Sequence, residues 1–245
     1  MEEIYINKKE LYNTVDELRK LLYSFGIRYP INIFEICDLF SNIEIATIPF
    51  KTPGLRGMAK LADDETDVNC ILVNSNLTQE EQNFHGTHEL MHICIPNNSR
   101  GATFRCYEKV QPFQDKYLEW LANEGAAELL MPFKGFIPDF CALYKLYREN
   151  STLWVKRFGY ETPYEVLANK YRVSPVSVKN RIKNLAYEID QYIKGTKIDQ
   201  IKILSLTQRG RLGIQANDYI AIIDLLGAKY DFGISWNAII SVDIE

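Results

Sequence analysis

The only three histidines among the 245 residues fall within eight positions, in the run Phe84-His85-Gly86-Thr87-His88-Glu89-Leu90-Met91-His92. His88-Glu89-x-x-His92 has the spacing of a zinc-metallopeptidase motif: residues i and i+4 share one helix face, so two imidazoles can reach one metal ion. Glu89 lies roughly 100° around the helix from His88, where a carboxylate touches a water on the metal rather than the metal itself. That arrangement suits hydrolysis by metal-activated water, with Glu89 taking the proton as general base and returning it to the leaving amine. Two histidines and a water leave a tetrahedral ion one protein ligand short, and with no histidine remaining a carboxylate is required.

The expected helix at 115–131 supplies one. Leu118, Ala122, Ala126 and Leu129 form its apolar stripe, with Glu119 and Asn123 at the edge and Glu124 and Glu128 nearly opposite. Glu119 is then the acid that faces inward, and burying it demands a counter-charge such as a metal. A solvated acid at the stripe's edge is the alternative at this point. Asn123, one turn on, can hydrogen-bond a ligand histidine. The oxyanion-stabilising group is open among His85, Tyr107 and Tyr117; His85 is either a neighbour of the metal or a partly exposed polar residue filling space.

The elements that must position these residues follow from caps and periodicity. Thr78 with Glu81 is a capping box that starts the motif helix near 79, and Pro96 stops it at about 95. Phe84, Thr87, Leu90, Met91 and Cys94 are expected on a core face separate from the histidines, Cys94 as a small buried residue. Upstream, Asn7 with Glu10 opens a helix that carries Leu11, Val15, Leu18, Leu22 and Phe25 at helical spacing, and a short helix is expected at 33–40. Strands are expected at 43–49, 55–62 and 69–74, with Asp63-Asp64-Glu65 and Asp67 in a turn. The strand near Arg56–Leu61 is expected to accept an extended substrate by edge pairing. Residues 96–113 read as an irregular loop.

Further on, Thr162-Pro163-Tyr164-Glu165 and Ser174-Pro175 are strong helix starts around a turn at Arg172-Val173, so a helix-turn-helix unit is expected with 175–193 as its second helix. Lys179, Asn180, Arg181 and Lys183 would decorate that helix, as a solvated basic face in preference to a DNA contact. From Lys194 onward, Ile201–Leu206, Gly213–Ala216, Tyr219–Ile223 and Ala238–Asp243 read as short strands, a small β-rich appendage.

A net charge of -4 and a pI near 5.6 carry no general nucleic-acid or anionic-membrane signal. No signal core and no run of the roughly 20 apolar residues needed to span a bilayer is present, so the expected location is the cytoplasm. The five cysteines (Cys37, Cys70, Cys94, Cys106 and Cys141) are scattered and never form CxxC, against both a disulfide framework and a cysteine-zinc site.

The run Phe84-x-x-x-His88-Glu89-Leu90-x-His92, followed by Glu119-x-x-Ala122-Asn123-x-x-Ala126-Ala127-Glu128-Leu129-Leu130-Met131-Pro132, resembles the ImmA/IrrE family of metallopeptidases. The segment Ala168–Ser174 is similar to the helix-turn-helix stretch after that family's catalytic core, and the likeness covers roughly residues 10–185. Leu121, Gly125, His85 and Gly86-Thr87 depart from the pattern without touching the proposed ligands. The resemblance implies an α+β fold with a zincin-like, gluzincin-type core: a small antiparallel or mixed sheet, the motif helix and the acid-bearing helix. It implies His88, His92 and Glu119 as ligands of one zinc ion per chain and Glu89 as the catalytic acid. The expected domains are 1–140, a helical region 141–194 and a β-rich segment 195–245. The implied substrate is a specific intracellular protein, a DNA-binding repressor that controls a mobile element or stress genes. The alternatives are a non-catalytic regulator acting through protein or DNA, and a prophage or toxin–antitoxin component with conditional activity.

Overall fold

Side-chain caps begin the helices where the sequence places them. Asn7 Oδ1 accepts from Lys9 N–H at 3.0 Å, and α1 (Lys8–Ser24) follows, burying Leu11, Val15 and Leu22. Asn32 caps α2 (Ile33–Leu39) by accepting from Phe34 N–H at 3.1 Å. The structure, a computed structural model, describes residues 5–95 and 100–214. Among these, residues 5–6 and 10–130 form one compact unit, and residues 7–9 and 131–214 another.

In the first unit, β1 (Ile43–Ile48), β2 (Leu55–Lys60) and β3 (Asn69–Asn74) lead into α3 (Gln79–Cys94), then β4 (Thr103–Tyr107) and α4 (Lys116–Leu130). The sheet order is β1-β3-β2-β4, with β1 parallel to β3 and the other pairs antiparallel. This is the α+β fold with a mixed sheet that the element order implies. Two expectations change. Residues 103–107 are a strand within the stretch expected to be irregular, although Thr-Phe-Arg-Cys-Tyr alternates and is rich in β-formers. The strand at 55–60 is not an edge: β2 is paired with β3 on one side and β4 on the other, so it has no free side for a substrate. Among the described residues the edges are β1 and β4.

In the second unit, α5 (Phe133–Glu149) and α6 (Ser151–Phe158) precede α7 (Pro163–Tyr171) and α8 (Pro175–Asn184). Residue 140, the sequence-based boundary, lies inside α5. Thr162 and Glu165 form the capping box of α7, and Arg172 turns the chain in the left-handed region at φ 49° and ψ 51°. The helix expected over 175–193 is interrupted at Leu185, after which α9 (Ala186–Ile193) begins. Of the four residues expected to decorate α8, Arg181 is buried and donates from Nε to Met131 O at 3.1 Å. The buried pair Lys8–Glu188, at 2.9 Å, ties the start of α1 to α9. Residues 201–205 form no strand; Ser205 caps α10 (Leu206–Arg211) instead. The strands expected from Tyr219 onward, and the second half of that at 213–216, lie outside the described residues. No described helix is long and apolar enough to cross a membrane.

Candidate metal centre

The motif helix is fixed at both ends and along its back. The Thr78–Glu81 capping box forms in both directions. Asn83 then clamps α3 to the start of α2: its Oδ1 accepts from Ile33 N–H at 2.9 Å and its Nδ2 donates to Ile31 O at 3.0 Å. Glycines let the neighbouring elements come close. A methyl group at Gly86 would stand 3.0 Å from Ile33 Cγ2, and one at Gly125 would stand 3.0 Å from Met91 Sδ. Two departures from the family pattern are therefore where α3 meets α2 and α4 at short range. That close approach carries the first turn of α4 up to the histidine face.

The two imidazoles meet a carboxylate there. His88 Nε2 and His92 Nε2 lie 3.2 Å apart, and the Glu119 carboxylate stands 3.4 Å from the first and 3.7 Å from the second. Ligands about 2.1 Å from a tetrahedral ion are separated by about 3.4 Å, so these three spacings are those of one face of a zinc tetrahedron. The donor set fits the ion. Burial and the His88 charge push the His92 imidazolium down to about 2, which leaves a neutral ring with a lone pair to give. Asn123 settles the tautomer of His88. Its Nδ2 donates to Glu119 O at 2.9 Å, so its Oδ1 is the atom 3.1 Å from His88 Nδ1 and accepts that N–H. His88 Nε2 would thereby be the ligating nitrogen once an ion displaces its proton; in the metal-free ring, against the opposing effect of burial, Cys106, Glu119 and Glu89 hold the proton affinity well above the usual imidazole value. Phe104 of β4 stacks on His92 with ring centroids 4.3 Å apart.

Glu89 stands beside this triad, fully buried, and neither carboxylate oxygen has a hydrogen-bond partner. Burial pushes its carboxyl up to about 7, with Glu119 adding to the rise and His88 opposing it. An unpartnered carboxylate at that depth is costly unless something in the site takes up its charge or its proton. It lies over β2, where Gly57 makes room. A methyl at Gly57 would stand 2.7 Å from Glu89 Oε1 and 3.1 Å from its Cγ. Gly57→Ala is expected to retain zinc and to lower kcat on the order of 10²-fold, the effect of displacing a catalytic group by about 1 Å. Zinc content measured alongside turnover checks this, and loss of zinc would mean that the ligands had moved instead.

The separation of a core face from a chemical face on α3 does not hold. Gly86, Thr87, His88, Glu89, Leu90, Met91 and His92 are all buried, so that part of the helix is enclosed on every side. Cys94, expected to be buried, is exposed. The inward acid of α4 is also not unique, because Glu119, Glu124 and Glu128 are all buried. Tyr12 donates to Glu124 Oε1 at 2.5 Å, and Arg19 Nη2 donates to Glu128 O at 2.6 Å and stands 3.5 Å from its Oε1. Glu119 alone of the three is drawn up to the imidazoles.

Of the three oxyanion candidates, Tyr117 and Tyr107 are engaged by other partners and His85 stands beside Cys106. Tyr117 OH is engaged by Ile6, accepting from its N–H at 2.5 Å and donating to its carbonyl at 2.9 Å. Tyr107 packs edge-on against Phe113. His85 is partly exposed, and its Nδ1 is 3.4 Å from Cys106 Sγ. Burial, with the charges of His88 and Arg56, pushes its imidazolium down to about 3. None of the three lines the cavity of about 390 Å³ that opens beside Glu119, whose walls include Phe104, Arg105, Phe113, Asp115 and Leu118. Sequence reasoning missed that wall because it missed β4.

The family model for the IrrE N-terminal-like domain, peptidase M78, matches residues 41–183. No curated protein matches the chain. The matched stretch runs from β1 into α8 and includes His88, Glu89, His92 and Glu119, the motif and the acid that the fold brings together. The chain belongs to the IrrE N-terminal-like family of M78 metallopeptidases.

Proposed function

We propose that this chain is a zinc endopeptidase that cuts a specific intracellular protein, a DNA-binding repressor that controls a mobile element or stress genes. The observation that carries the enzymatic reading is the convergence of His88, His92 and Glu119 on one point beside the buried, unpartnered Glu89. His88, His92 and Glu119 would hold one ion per chain. The ion supplies Lewis acidity and brings the acidity of water into the neutral range.

This chain's residues do the rest. Glu89, with an affinity for protons matched to neutral pH, takes the proton of the attacking water and passes it to the departing amine. Asn123 holds the His88 ring in its ligating tautomer. β4, an edge among the described residues, takes the place of β2 as the strand open to an extended peptide, although its Arg105 O already accepts from Gln114 Nε2 at 2.7 Å. The cavity beside Glu119 has Phe104, Phe113 and Leu118 on its walls and suits an apolar side chain of the substrate next to the cut. Repressor recognition rests on the family resemblance together with a protein that carries no basic excess of its own. Arg181, which a DNA-reading helix would expose, is committed to Met131, so the reading is of a protein that acts on a DNA-binding partner in the cytoplasm.

The test is cleavage of the repressor encoded beside this gene by the zinc-loaded full chain. One discrete cut, lost on chelation, is expected. Loaded protein that cuts other polypeptides but leaves every neighbouring repressor intact sinks the substrate assignment, and protein that cannot be loaded sinks the enzymatic one.

A further inference from the structure

Cys106 has no part in the chemistry above, yet the fold puts it in the site. It shares a face of β4 with Phe104, which stacks on His92, and it pairs across the sheet with Gly57, the residue over which Glu89 lies. Its side chain is 3 % exposed. Ligand atoms of Cys106, His88 and Glu89 all lie within 4.8 Å of one another, so His88 belongs to two donor clusters, one with His92 and Glu119 and one with Glu89 and Cys106. Glu89 brings to the second cluster two buried oxygens without partners. The sulfur is therefore no isolated buried thiol.

An ion held by two imidazoles and a carboxylate keeps a fourth position for water or substrate. A sulfur within reach of both His88 and Glu89 stands on the Glu89 side of the triad, which is the side where the attacking water must stand to give up its proton. Nitrogen and sulfur ligands on one tetrahedral ion are about 3.6 Å apart. Cys106 shares a cluster with His88 but not with His92 and Glu119, so the strand must carry the sulfur more than about 1 Å towards the triad to close the position. Thiolate is also a preferred zinc ligand.

We propose that Cys106 is a fourth, displaceable ligand, whose thiolate closes the open position in the resting enzyme and gives way to substrate. This rests on the metal site read above. On closure the S–H bond breaks, its proton leaves to solvent and a sulfur lone pair bonds to the ion; opening reverses each step, with no change of oxidation state. His85 Nδ1 lies 3.4 Å from the sulfur. The enzyme is then latent by construction, because the group that blocks the site lies on the strand that a substrate must pair with.

Cobalt(II) loaded into the full chain reads the sulfur directly. The wild type is expected to show visible d–d bands together with an intense near-ultraviolet sulfur-to-cobalt charge-transfer band. Cys106→Ser and Cys106→Ala keep the d–d bands and lose the charge-transfer band, which excludes the other four cysteines as its source. Their zinc affinity, by chelator competition, falls at least about tenfold, no less than loss of a partner one shell further out. Acetohydroxamate, which takes open positions on such ions, bleaches the band in the wild type. Cobalt bound with d–d bands and no charge-transfer band overturns the proposal and leaves the metal site standing. A band that survives saturating hydroxamate overturns displacement, and a chain that binds no cobalt overturns the metal site itself.

Discussion

Glu89→Gln is expected to keep its zinc and to lose cleavage by about 10²–10⁴-fold in kcat, the contribution of a positioned general base. The amide has the shape of the carboxylate but cannot take a proton from water. Zinc stays because the ligating triad is His88, His92 and Glu119, and Glu89 faces the triad from the side. The metal-free protein carries a second signature of the same residue. Because burial raises the Glu89 carboxyl from 4.5 to about 7, the folded state holds a proton that the unfolded chain has released between those values. Stability therefore falls as pH rises through that window and the loss is complete above it. At about 1.4 kcal/mol for each pH unit, the loss is on the order of 3 kcal/mol. Metal-free Glu89→Gln escapes it, so at pH 8 the variant is expected to outlast metal-free wild type in urea, with the gap closing by pH 4. Equal urea midpoints at pH 8 would show that the carboxylate is not the uncompensated charge described here. An inactive variant that has also lost zinc would place Glu89 among the ligands.

The parts of the site that were legible in the sequence are those that one helix builds alone. The spacing of His88, Glu89 and His92 is set by the helical repeat, and the helix by a cap whose two halves, Thr78 and Glu81, are three residues apart. The strands at 43–48, 55–60 and 69–74 were legible for the same reason, since each is marked by its own alternation and its own turn residues. What pairs with what was not. β4 is a strand because β2 lies beside it, at a separation of some fifty residues, and five residues between turn signals announce little on their own. With β4 unseen, β2 looked like an edge, Cys106 looked like one of five scattered thiols, and the cavity wall had no residues.

Glu119 shows how a correct residue can follow from an incomplete argument. The stripe on α4 put it inward, and burial then seemed to demand a metal. Burial by itself selects nothing, since Glu124 and Glu128 are buried as deeply and find their partners in Tyr12 and Arg19 of α1. No periodicity within α4 carries that information. The partners separate the three acids, and the partners are more than ninety residues away in sequence for two of them.

That difference in partners makes the largest binding effect predictable. Glu119→Gln removes one of three protein ligands and leaves His88 and His92 with an amide, a weak donor without charge, so zinc affinity is expected to drop by well over 100-fold. Asn123→Ala keeps all three ligands and removes only the acceptor that fixes the His88 tautomer, for which the expected cost is about 10–100-fold. Glu124→Gln removes an acid just as buried, but one that accepts from Tyr12 at 2.5 Å behind the site. It is expected to leave zinc affinity within a few-fold of wild type and to lower stability by about 1–3 kcal/mol, the range for a charged hydrogen-bonded group. Chelator competition for the affinities and urea unfolding of the metal-free proteins for the stabilities separate the three. If Glu119→Gln bound zinc as tightly as Glu124→Gln, Glu119 would be another structural acid and the third ligand would have to come from elsewhere, with Cys106 and Glu89 the donors grouped with His88.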